Sequence, residues 1–380
     1  MKHIKISFIV IFLLLGLVIV SCVPGGTQPA QGWSGTVFYD NTLYTGSRDG
    51  KVIAVDPVTR GSLWSYAIRA PSGGFSCGGT SGSVAIYGNP TAMDDLVCIG
   101  AYDGRVYALN RQTGNERWIY PKDGDVGQIV GNSIAAGGNI YFNSSDGRVY
   151  ALNTTYGEEI WKTEKPLSEK LWTSPLIDGD IIYVTTYEGY IYSLSINDGS
   201  LLPWSFKADA GIVSSPVIYQ DTIFMGAFDN SVYAVKIGSN EPLWSFSGDK
   251  WFWATPVVKD GVVYAGCLDG KVYAIGAGTG ELKWEFDTGS QIVSPPVIDG
   301  DLLIVASESG DINVFNTNAE PVSEAMVPVQ SMSVDALIKA SFCVEGDTIY
   351  LRAEDDRLYA MDMKTGWVIW SLPLGIKGES

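Results

Sequence analysis

A short pattern that recurs along this 380-residue chain constrains its fold more than any other feature. Most copies begin with an acidic–Gly turn, continue through a strand-like stretch containing Tyr-Ala, and end with a Thr-Gly turn and a tryptophan, as in residues 103–118. The turns begin at Asp49, Asp103, Asp146, Glu188, Asp229, Asp269, Ser309 and Asp355. They follow one another at roughly 40 to 54 residues, the period of four-stranded propeller blades. The pattern predicts an all-β, eight-bladed β-propeller.

Each copy has room for four short strands. In the fifth copy, the stretches 212–218, 222–226, 231–236 and 242–246 are apolar or alternate between apolar and polar residues. Turn-forming residues such as Asp221 separate them, as antiparallel hairpins require. No segment has a sustained helical period bounded by caps, so the sequence favours four-stranded antiparallel blades over a βαβ array.

The tryptophans of the repeat have a fixed spacing. In six copies a tryptophan follows the third-strand alanine by ten residues, and in four a glycine follows it by six. These spacings resemble the tryptophan-docking motif of the pyrroloquinoline-quinone (PQQ)-like β-propeller family, from about Gly32 to Leu374. The resemblance implies that each indole packs against the next blade, whereas the alternative is a ring of ligand-stacking indoles. The docking tryptophans are Trp64, Trp118, Trp161, Trp204, Trp244, Trp284 and Trp370. The copy at 309–315 lacks its tryptophan.

The first residues predict export to the cell envelope. Lys2 and Lys5 precede an apolar run that is too short to span a bilayer comfortably, as expected of a signal peptide covering residues 1–21. The stretch 19–22 resembles a bacterial lipobox and assigns the lipid-bearing residue to Cys22, through which the protein would be anchored to a membrane. The alternative is an ordinary signal peptide with a chance cysteine. We expect a lipoprotein that faces the periplasm or the outside.

The remaining residues divide into three parts. Residues 22–32 are polar and rich in Pro and Gly, which predicts a flexible tether. Residues 33–374 carry the repeats and are assigned to the propeller, and residues 375–380 to a C-terminal tail. A propeller can reach this length because each blade buries its own sheet faces.

Charge and histidine content exclude several functions. The formal net charge is −17, and loss of Lys2 and Lys5 with the signal would bring it to −19. Such a field repels phosphate backbones, so nucleic acid is excluded as a main partner. The only histidine is His3, within the signal, so the mature chain would lack imidazole-based catalysis and histidine-ligated zinc. Chemistry by carboxylates or a cofactor stays open.

Four cysteines follow Cys22, and three pairings among them are possible. A Cys77–Cys98 disulfide is local in sequence and compatible with export, while buried free thiols are an equal alternative for these two residues and for Cys267 and Cys343. None of the spacings suits a metal site.

The overall plan of lipobox, tether and eight repeats is similar to that of envelope lipoproteins that assist outer-membrane protein assembly. It implies a monomeric, non-catalytic interaction scaffold for envelope proteins or a surface polymer, with no cofactor and no metal. One alternative is a propeller that binds surface glycans or peptides. The other is a PQQ-dependent dehydrogenase, but this chain lacks the adjacent cysteine pair of those enzymes.

Propeller topology predicts where a partner would bind. Turns between second and third strands share one face with the connections between blades, and loops on a rigid scaffold commonly carry binding residues. The candidate partner-binding residues on that face are Trp172, Trp251, Phe252, Trp253, Tyr102, Tyr187 and Phe228. The alternative is that these aromatic residues plug the central channel or cover the blade ends. The acidic turns of the same face are interpreted as solvated turn residues.

Overall fold

A computed structural model describes residues 32–69, 82–319 and 326–375. Its 32 strands form eight sheets, each of four consecutive antiparallel strands. The eight-bladed β-propeller expected from the repeats is therefore confirmed. Within the described residues there is no helix long and apolar enough to cross a membrane.

The first four blades comprise sixteen strands. Blade 1 consists of β1 (Thr36–Tyr39), β2 (Thr42–Gly46), β3 (Lys51–Asp56) and β4 (Gly61–Ala67). Blade 2 consists of β5 (Thr91–Met93), β6 (Leu96–Gly100), β7 (Val106–Asn110) and β8 (Glu116–Tyr120). Blade 3 consists of β9 (Ile134–Ala136), β10 (Asn139–Asn143), β11 (Val149–Asn153) and β12 (Glu159–Lys162). Blade 4 consists of β13 (Leu176–Asp178), β14 (Ile181–Thr185), β15 (Tyr190–Ser195) and β16 (Leu201–Lys207).

The other four blades repeat this order. Blade 5 consists of β17 (Val217–Tyr219), β18 (Thr222–Gly226), β19 (Ser231–Lys236) and β20 (Trp244–Ser247). Blade 6 consists of β21 (Val257–Lys259), β22 (Val262–Gly266), β23 (Lys271–Gly276) and β24 (Leu282–Asp287). Blade 7 consists of β25 (Val297–Asp299), β26 (Leu302–Ala306), β27 (Asp311–Asn316) and β28 (Gln330–Ser333). Blade 8 consists of β29 (Cys343–Glu345), β30 (Thr348–Arg352), β31 (Arg357–Asp362) and β32 (Val368–Pro373).

The innermost strands are shorter than the sequence pattern suggests. In blade 5 the first strand is Val217–Tyr219 rather than 212–218. Before it, Ile212 is buried and forms an isolated bridge with Ala227, while Val213, Ser215 and Pro216 line the central channel. The first strands contact one another around the axis, and β1 lies beside β29, which closes the ring.

The core lies between blades. Eight clusters of buried side chains occupy the eight interfaces between neighbouring sheets. The blades therefore stabilise one another mainly by burying the apolar faces of adjacent sheets.

The repeat tryptophans join consecutive blades. The Trp64 indole donates a hydrogen bond to the Arg111 carbonyl of blade 2 at 2.8 Å, and its ring lies against Gly114. Gly114 has a φ of +70°, and a Cβ there would lie 2.6 Å from the indole, so glycine is needed for both reasons. Equivalent bonds of 2.8 to 3.0 Å join Trp118 to Thr154, Trp161 to Ile196, Trp204 to Ser239, and Trp244 to Ala277.

The contact between blades 8 and 1, the seam, departs from this scheme. Arg60, with a φ of +62°, stands where blades 2, 3, 4, 6 and 8 have a glycine, and Trp370 of blade 8 is half-buried at this interface. The buried Arg352 guanidinium donates to the Gly32 carbonyl at 3.0 Å and lies 3.6 Å from the Asp356 carboxylate. Burial lowers the pKa of Arg352. A buried cation thus closes the ring.

Three of the cysteines are free thiols. Cys98 and Cys267 are buried and Cys343 is half-buried, so of the two alternatives left open by the sequence, these three residues follow the free-thiol one. Burial raises the pKa of each of the three thiols to about 12. The residues outside the described ranges include Cys77, the predicted signal peptide, Cys22 and nearly all of the predicted tether.

Candidate partner-binding face

Two sets of loops meet on one face of the disc, which we call the channel face. One set connects the outer strand of each blade to the first strand of the next, and the other connects second to third strands. Backbone hydrogen bonds tie the sets together, as Tyr102 donates to Ala85 at 3.0 Å and Leu268 donates to Trp251 at 3.0 Å. These bonds connect the two sets of loops within the described residues.

Each connection between blades ends in three residues with different surroundings, and 251–253 illustrate them. Trp251 is 43% exposed and faces outward, Phe252 is 1% exposed, and Trp253 lines the channel. The buried position is large and apolar in every connection from blade 2 onward. Its occupants are Ile86, Ile129, Leu171, Ile212, Phe252, Ile292 and Ile338.

Phe252 therefore belongs to the core, and its assignment to the partner-binding face is corrected. Its ring packs on Tyr273 with centroids 5.6 Å apart, and its backbone carbonyl closely approaches Gly226. A partner on the channel face cannot contact this ring because neighbouring blades cover it.

The third positions of the seven connections, together with Trp33 just before β1, form a ring around the mouth of the central channel. The mouth encloses about 440 Å³. Its eight equivalent lining residues, one from each blade, are Trp33, Tyr87, Val130, Trp172, Val213, Trp253, Val293 and Lys339. Only Trp172 and Trp253 were singled out from the sequence for this ring.

A belt of hydrogen bonds lies just below these residues. Backbone N–H groups donate to the side-chain oxygen of the equivalent residue in the next blade, at 2.9 Å from Gly35 to Asn89 and 2.7 Å from Asn89 to Asn132. The belt continues at 2.8 Å from Asn132 to Ser174 and 2.9 Å from Ser174 to Ser215. The belt links the mouth-lining segments of blades 1 to 5 to one another.

The aromatic residues of the channel face are in contact with one another. Successive ring centroids are 5.5 Å apart from Trp172 to Tyr187, 5.5 Å from Tyr187 to Phe228 and 4.8 Å from Phe228 to Trp251. We call these four residues the aromatic arc. It brings together four of the seven candidates and runs across blades 4 to 6, with Trp253 beside it in the mouth.

Tyr102 lies in a second, smaller group at blades 1 and 2. Its ring is 5.4 Å from Tyr87, which in turn is 4.7 Å from Trp33. Trp33 and Tyr87 are functional candidates that the sequence reasoning missed. A signal for Tyr87 exists, because Tyr87-Gly-Asn-Pro90 has the same form as Trp172-Thr-Ser-Pro175.

The carboxylates of the acidic turns accept hydrogen bonds from tyrosines of the same blade. A third-strand tyrosine donates to the turn carboxylate four residues earlier, at 2.6 Å from Tyr107 to Asp103. The same bond recurs at 2.6 Å from Tyr150 to Asp146, 2.5 Å from Tyr233 to Asp229, and 2.7 Å from Tyr273 to Asp269. Burial raises the pKa of Asp103. These carboxylates shape the hairpins while lending the rim negative charge.

This combination of four-stranded blades, docked tryptophans and Asp-Gly hairpins defines a PQQ-like β-propeller. The family model described as "Outer membrane protein assembly factor BamB" matches residues 24–163 and 145–372, so the chain belongs to that family.

Two curated relatives are similar over part of the chain. The outer membrane protein assembly factor BamB of Bordetella pertussis is 25% identical over 213 residues, which cover 56% of this chain and 53% of that protein. The chain thus spans about half the length of that relative. The quinohemoprotein alcohol dehydrogenase ADH IIB of Pseudomonas putida is 32% identical over 85 residues, covering 22% of this chain and 11% of that enzyme.

Two solved structures share the fold. The crystal structure of BamB from Moraxella catarrhalis matches with a TM-score of 0.65 and 16% identity, covering 84% of this chain and 91% of that one. The computationally designed Ika8 protein matches with a TM-score of 0.70 and 15% identity, covering 88% and 98%. At these identities the likeness concerns the fold alone.

The channel mouth does not fit PQQ. That quinone carries several carboxylates and needs cationic partners. Among the described residues that line the mouth, Lys339 is the one with a charge, and it is 3.3 Å from Glu308. Over residues 32–69, 82–319 and 326–375, no group of three or more His, Cys, Asp or Glu side chains could hold a metal ion. The donor set therefore gives no support for quinone chemistry.

Proposed function

We propose that this protein is a non-catalytic, lipid-anchored propeller of the cell envelope that binds another envelope protein and acts in outer-membrane protein assembly. Membership of a family described by that process supports the proposal, as does the relative from Bordetella pertussis named for it. The lipobox ending at Cys22 supports the anchor.

The observation that carries the binding role is the aromatic arc. Trp251 is the most exposed of its four rings, while Trp172, Tyr187 and Phe228 are half-buried and held by their mutual contacts. Rigid aromatic side chains make effective binding anchors because they bury a large area and lose little conformational entropy. The partner would place apolar side chains against the arc and the channel mouth.

The negative charge of the protein supplies selectivity. With a formal net charge of −17 and carboxylates around the rim, the channel face attracts basic surfaces and repels acidic ones. Association would therefore slow as the salt concentration rises, with a smaller effect on dissociation.

The test compares partner capture by the wild type with capture by a Trp251→Ala/Trp253→Ala double variant. Capture from envelope extract, followed by identification of outer-membrane assembly components, should fall at least about tenfold in the double variant, as expected for hot-spot truncation. Trp367→Ala is the matched control, because Trp367 is 76% exposed in a turn between third and fourth strands, away from the channel face.

Three results would contradict the proposal. An identical partner set in the double variant rejects the aromatic arc as the binding surface. Release of the partner by oligosaccharides, or retention of a polysaccharide alone, favours the glycan-binding alternative. Saturable binding of PQQ with calcium, or dye reduction dependent on an alcohol, rejects the non-catalytic role.

Anchoring has a separate test. Cys22→Ser should release the protein from membranes or leave it unprocessed with its signal attached. Wild-type protein that enters the aqueous phase of a detergent partition and carries no acyl mass at its N-terminus would reject the lipid anchor.

A further inference from the structure

At four of the eight interfaces, neighbouring blades meet through a ring pair on the outer half of the contact. One ring stands two residues after the docking tryptophan, and its partner is the third-strand tyrosine of the next blade. The centroids are 6.2 Å apart for Tyr66 and Tyr107, and 5.2 Å apart for Phe246 and Tyr273. Tyr120 with Tyr150, at 6.2 Å, and Phe206 with Tyr233, at 6.5 Å, repeat the arrangement.

The interface between blades 3 and 4 lacks one member of this pair. The position two residues after Trp161 is Thr163, whose side chain is too short to reach Tyr192 of blade 4 as a ring would. A groove of about 540 Å³ opens at this point, between the segment 162–167 and blade 4. Tyr192 lines it, together with Pro166, Leu167 and Leu201.

The interface between blades 6 and 7 also has a groove beside a missing ring. There the first ring, Phe286, is present, but Asn313 replaces the third-strand tyrosine, and a smaller groove of about 310 Å³ opens beside both residues. At these two of the four interfaces that lack the pair, the missing ring coincides with a groove; the other two interfaces have Met332 and Leu372 in the first position.

Tyr192 also differs from the other third-strand tyrosines. Tyr107, Tyr150, Tyr233, Tyr273 and Tyr359 each donate to the acidic residue four positions earlier. The equivalent residue in blade 4, Glu188, instead accepts from the Ser168 hydroxyl at 2.5 Å and from the Glu169 N–H at 3.2 Å. Across the described residues, the Tyr192 hydroxyl has no hydrogen-bond partner.

We propose that this groove is a second binding site, which takes an aromatic side chain of an extended peptide in the place of the missing ring. The ring would lie against Tyr192, at the separation that the intact pairs show. Tyr190 stacks on Tyr192 at 5.3 Å and supports it, while Leu167 and Leu201 contact the edges of the inserted ring. The free Tyr192 hydroxyl donates to a carbonyl of the peptide.

The site is distinct from the aromatic arc, since it lies between the outer halves of two blades. The connection that walls it continues directly into Leu171 and Trp172 of the channel face. One partner could therefore occupy both surfaces, but peptide binding in the groove does not depend on the channel face.

The test uses five synthetic peptides, Ac-Gly-Gly-X-Gly-Gly-NH2 with X as Phe, Tyr, Trp, Leu or Ala, titrated into the full-length protein in detergent. The aromatic peptides should bind at least about tenfold more tightly than the Ala peptide, because the ring supplies most of the buried apolar area. Thr163→Phe should remove this binding, because its ring would take the place of the inserted one; the melting temperature is measured in parallel, since the buried Thr163 hydroxyl accepts from the Val149 N–H at 3.3 Å.

Two further variants separate binding from folding. Leu201→Glu removes an apolar contact to the inserted ring and should weaken binding of the aromatic peptides about tenfold. Because the Leu201 side chain is 56% exposed, the substitution should not reduce stability. Asn313→Tyr fills the smaller groove between blades 6 and 7 and should leave binding unchanged. Equal binding of all five peptides, no binding of any, undiminished binding to Thr163→Phe or Leu201→Glu, or oligosaccharide binding in the groove would each overturn the proposal.

Discussion

Tryptophans in this propeller have different roles, which depend on their position in the repeat. Trp161 is 8% exposed, donates to the Ile196 carbonyl at 3.0 Å and rests on Gly199. Trp251 is exposed, and its contact with Phe228 lies on the surface. The first residue joins two blades, whereas the second is available to a partner.

Substitution should separate these roles. Trp161→Ala should lower the free energy of unfolding by about 3–5 kcal/mol, because it leaves a cavity between blades 3 and 4. Trp251→Ala should lower it by about 1 kcal/mol or less, as at other exposed sites. Denaturant unfolding followed by fluorescence measures both, with Trp161→Phe as a control that keeps most of the packing. Equal, small losses at the two positions would contradict the assignment.

The docking tryptophans are easier to recognise in the sequence than the residues of the channel face, and the reason is physical. A docking tryptophan such as Trp118 stands ten residues after its third-strand alanine, here Ala108. Because these two residues pair across adjacent strands, the local sequence determines where the tryptophan lies. Phe252 stands between two accessible tryptophans, and only comparison with Ile212 and Ile292 in the same position indicates that it is buried. Trp33 had no repeat upstream of it to compare, so its place in the mouth could not be recognised.

At the scale of the strand and blade, blade 7 is the element that departs most from the repeat. Its outer strand has Gln330 where the other blades have tryptophan, and Gln330 pairs with Val314 as Trp64 pairs with Ala54. Blade 8 nevertheless retains the docking glycine, Gly366, with a φ of +76° and the Gln330 side chain against it. Blade 8 therefore has the glycine against which a docking tryptophan would pack, but blade 7 lacks that tryptophan.

Restoring the tryptophan should strengthen this interface. Gln330→Trp should raise the free energy of unfolding by about 1–2 kcal/mol, since the indole would fill the space beside Gly366, as in other cavity-filling substitutions. Differential scanning calorimetry measures the accompanying rise in melting temperature. Gln330→Trp combined with Gly366→Ala is the control, because a Cβ at that position blocks the ring. A gain that survives in the double variant would show that docking is not its cause.

At the scale of the whole molecule, tyrosines with raised pKa values make the stability of the fold depend on pH in the alkaline range. Burial raises the pKa of Tyr264 to about 12, and burial together with the hydrogen bond to Asp355 raises that of Tyr359 to about 12. Both lie above the value of about 10 for an exposed tyrosine. Their contribution to stability is therefore complete below pH about 10 and is lost as the pH rises towards 12, because the folded state holds these protons more tightly.

A pH titration checks this coupling. Unfolding followed by circular dichroism should begin above pH about 10 and should coincide with the rise in tyrosinate absorbance. Tyr359→Phe should make the decline less steep, whereas Tyr156→Phe, at a surface-exposed tyrosine, should leave it unchanged. Complete ionisation of the tyrosines while the sheet signal persists would contradict the expectation.

The seam has a consequence for the order in which the ring assembles. Indole bonds between consecutive blades join residues 33 to 47 positions apart, so each can form soon after the next blade emerges from the ribosome. The bond from Arg352 to Gly32 spans 320 positions, and that from Arg48 to Asp356 spans 308. Such long loops close slowly compared with local contacts. Growth by successive blades followed by one late, long-range closure is the folding route that this geometry favours, and until that closure the apolar faces of blades 1 and 8 stay open to chaperones.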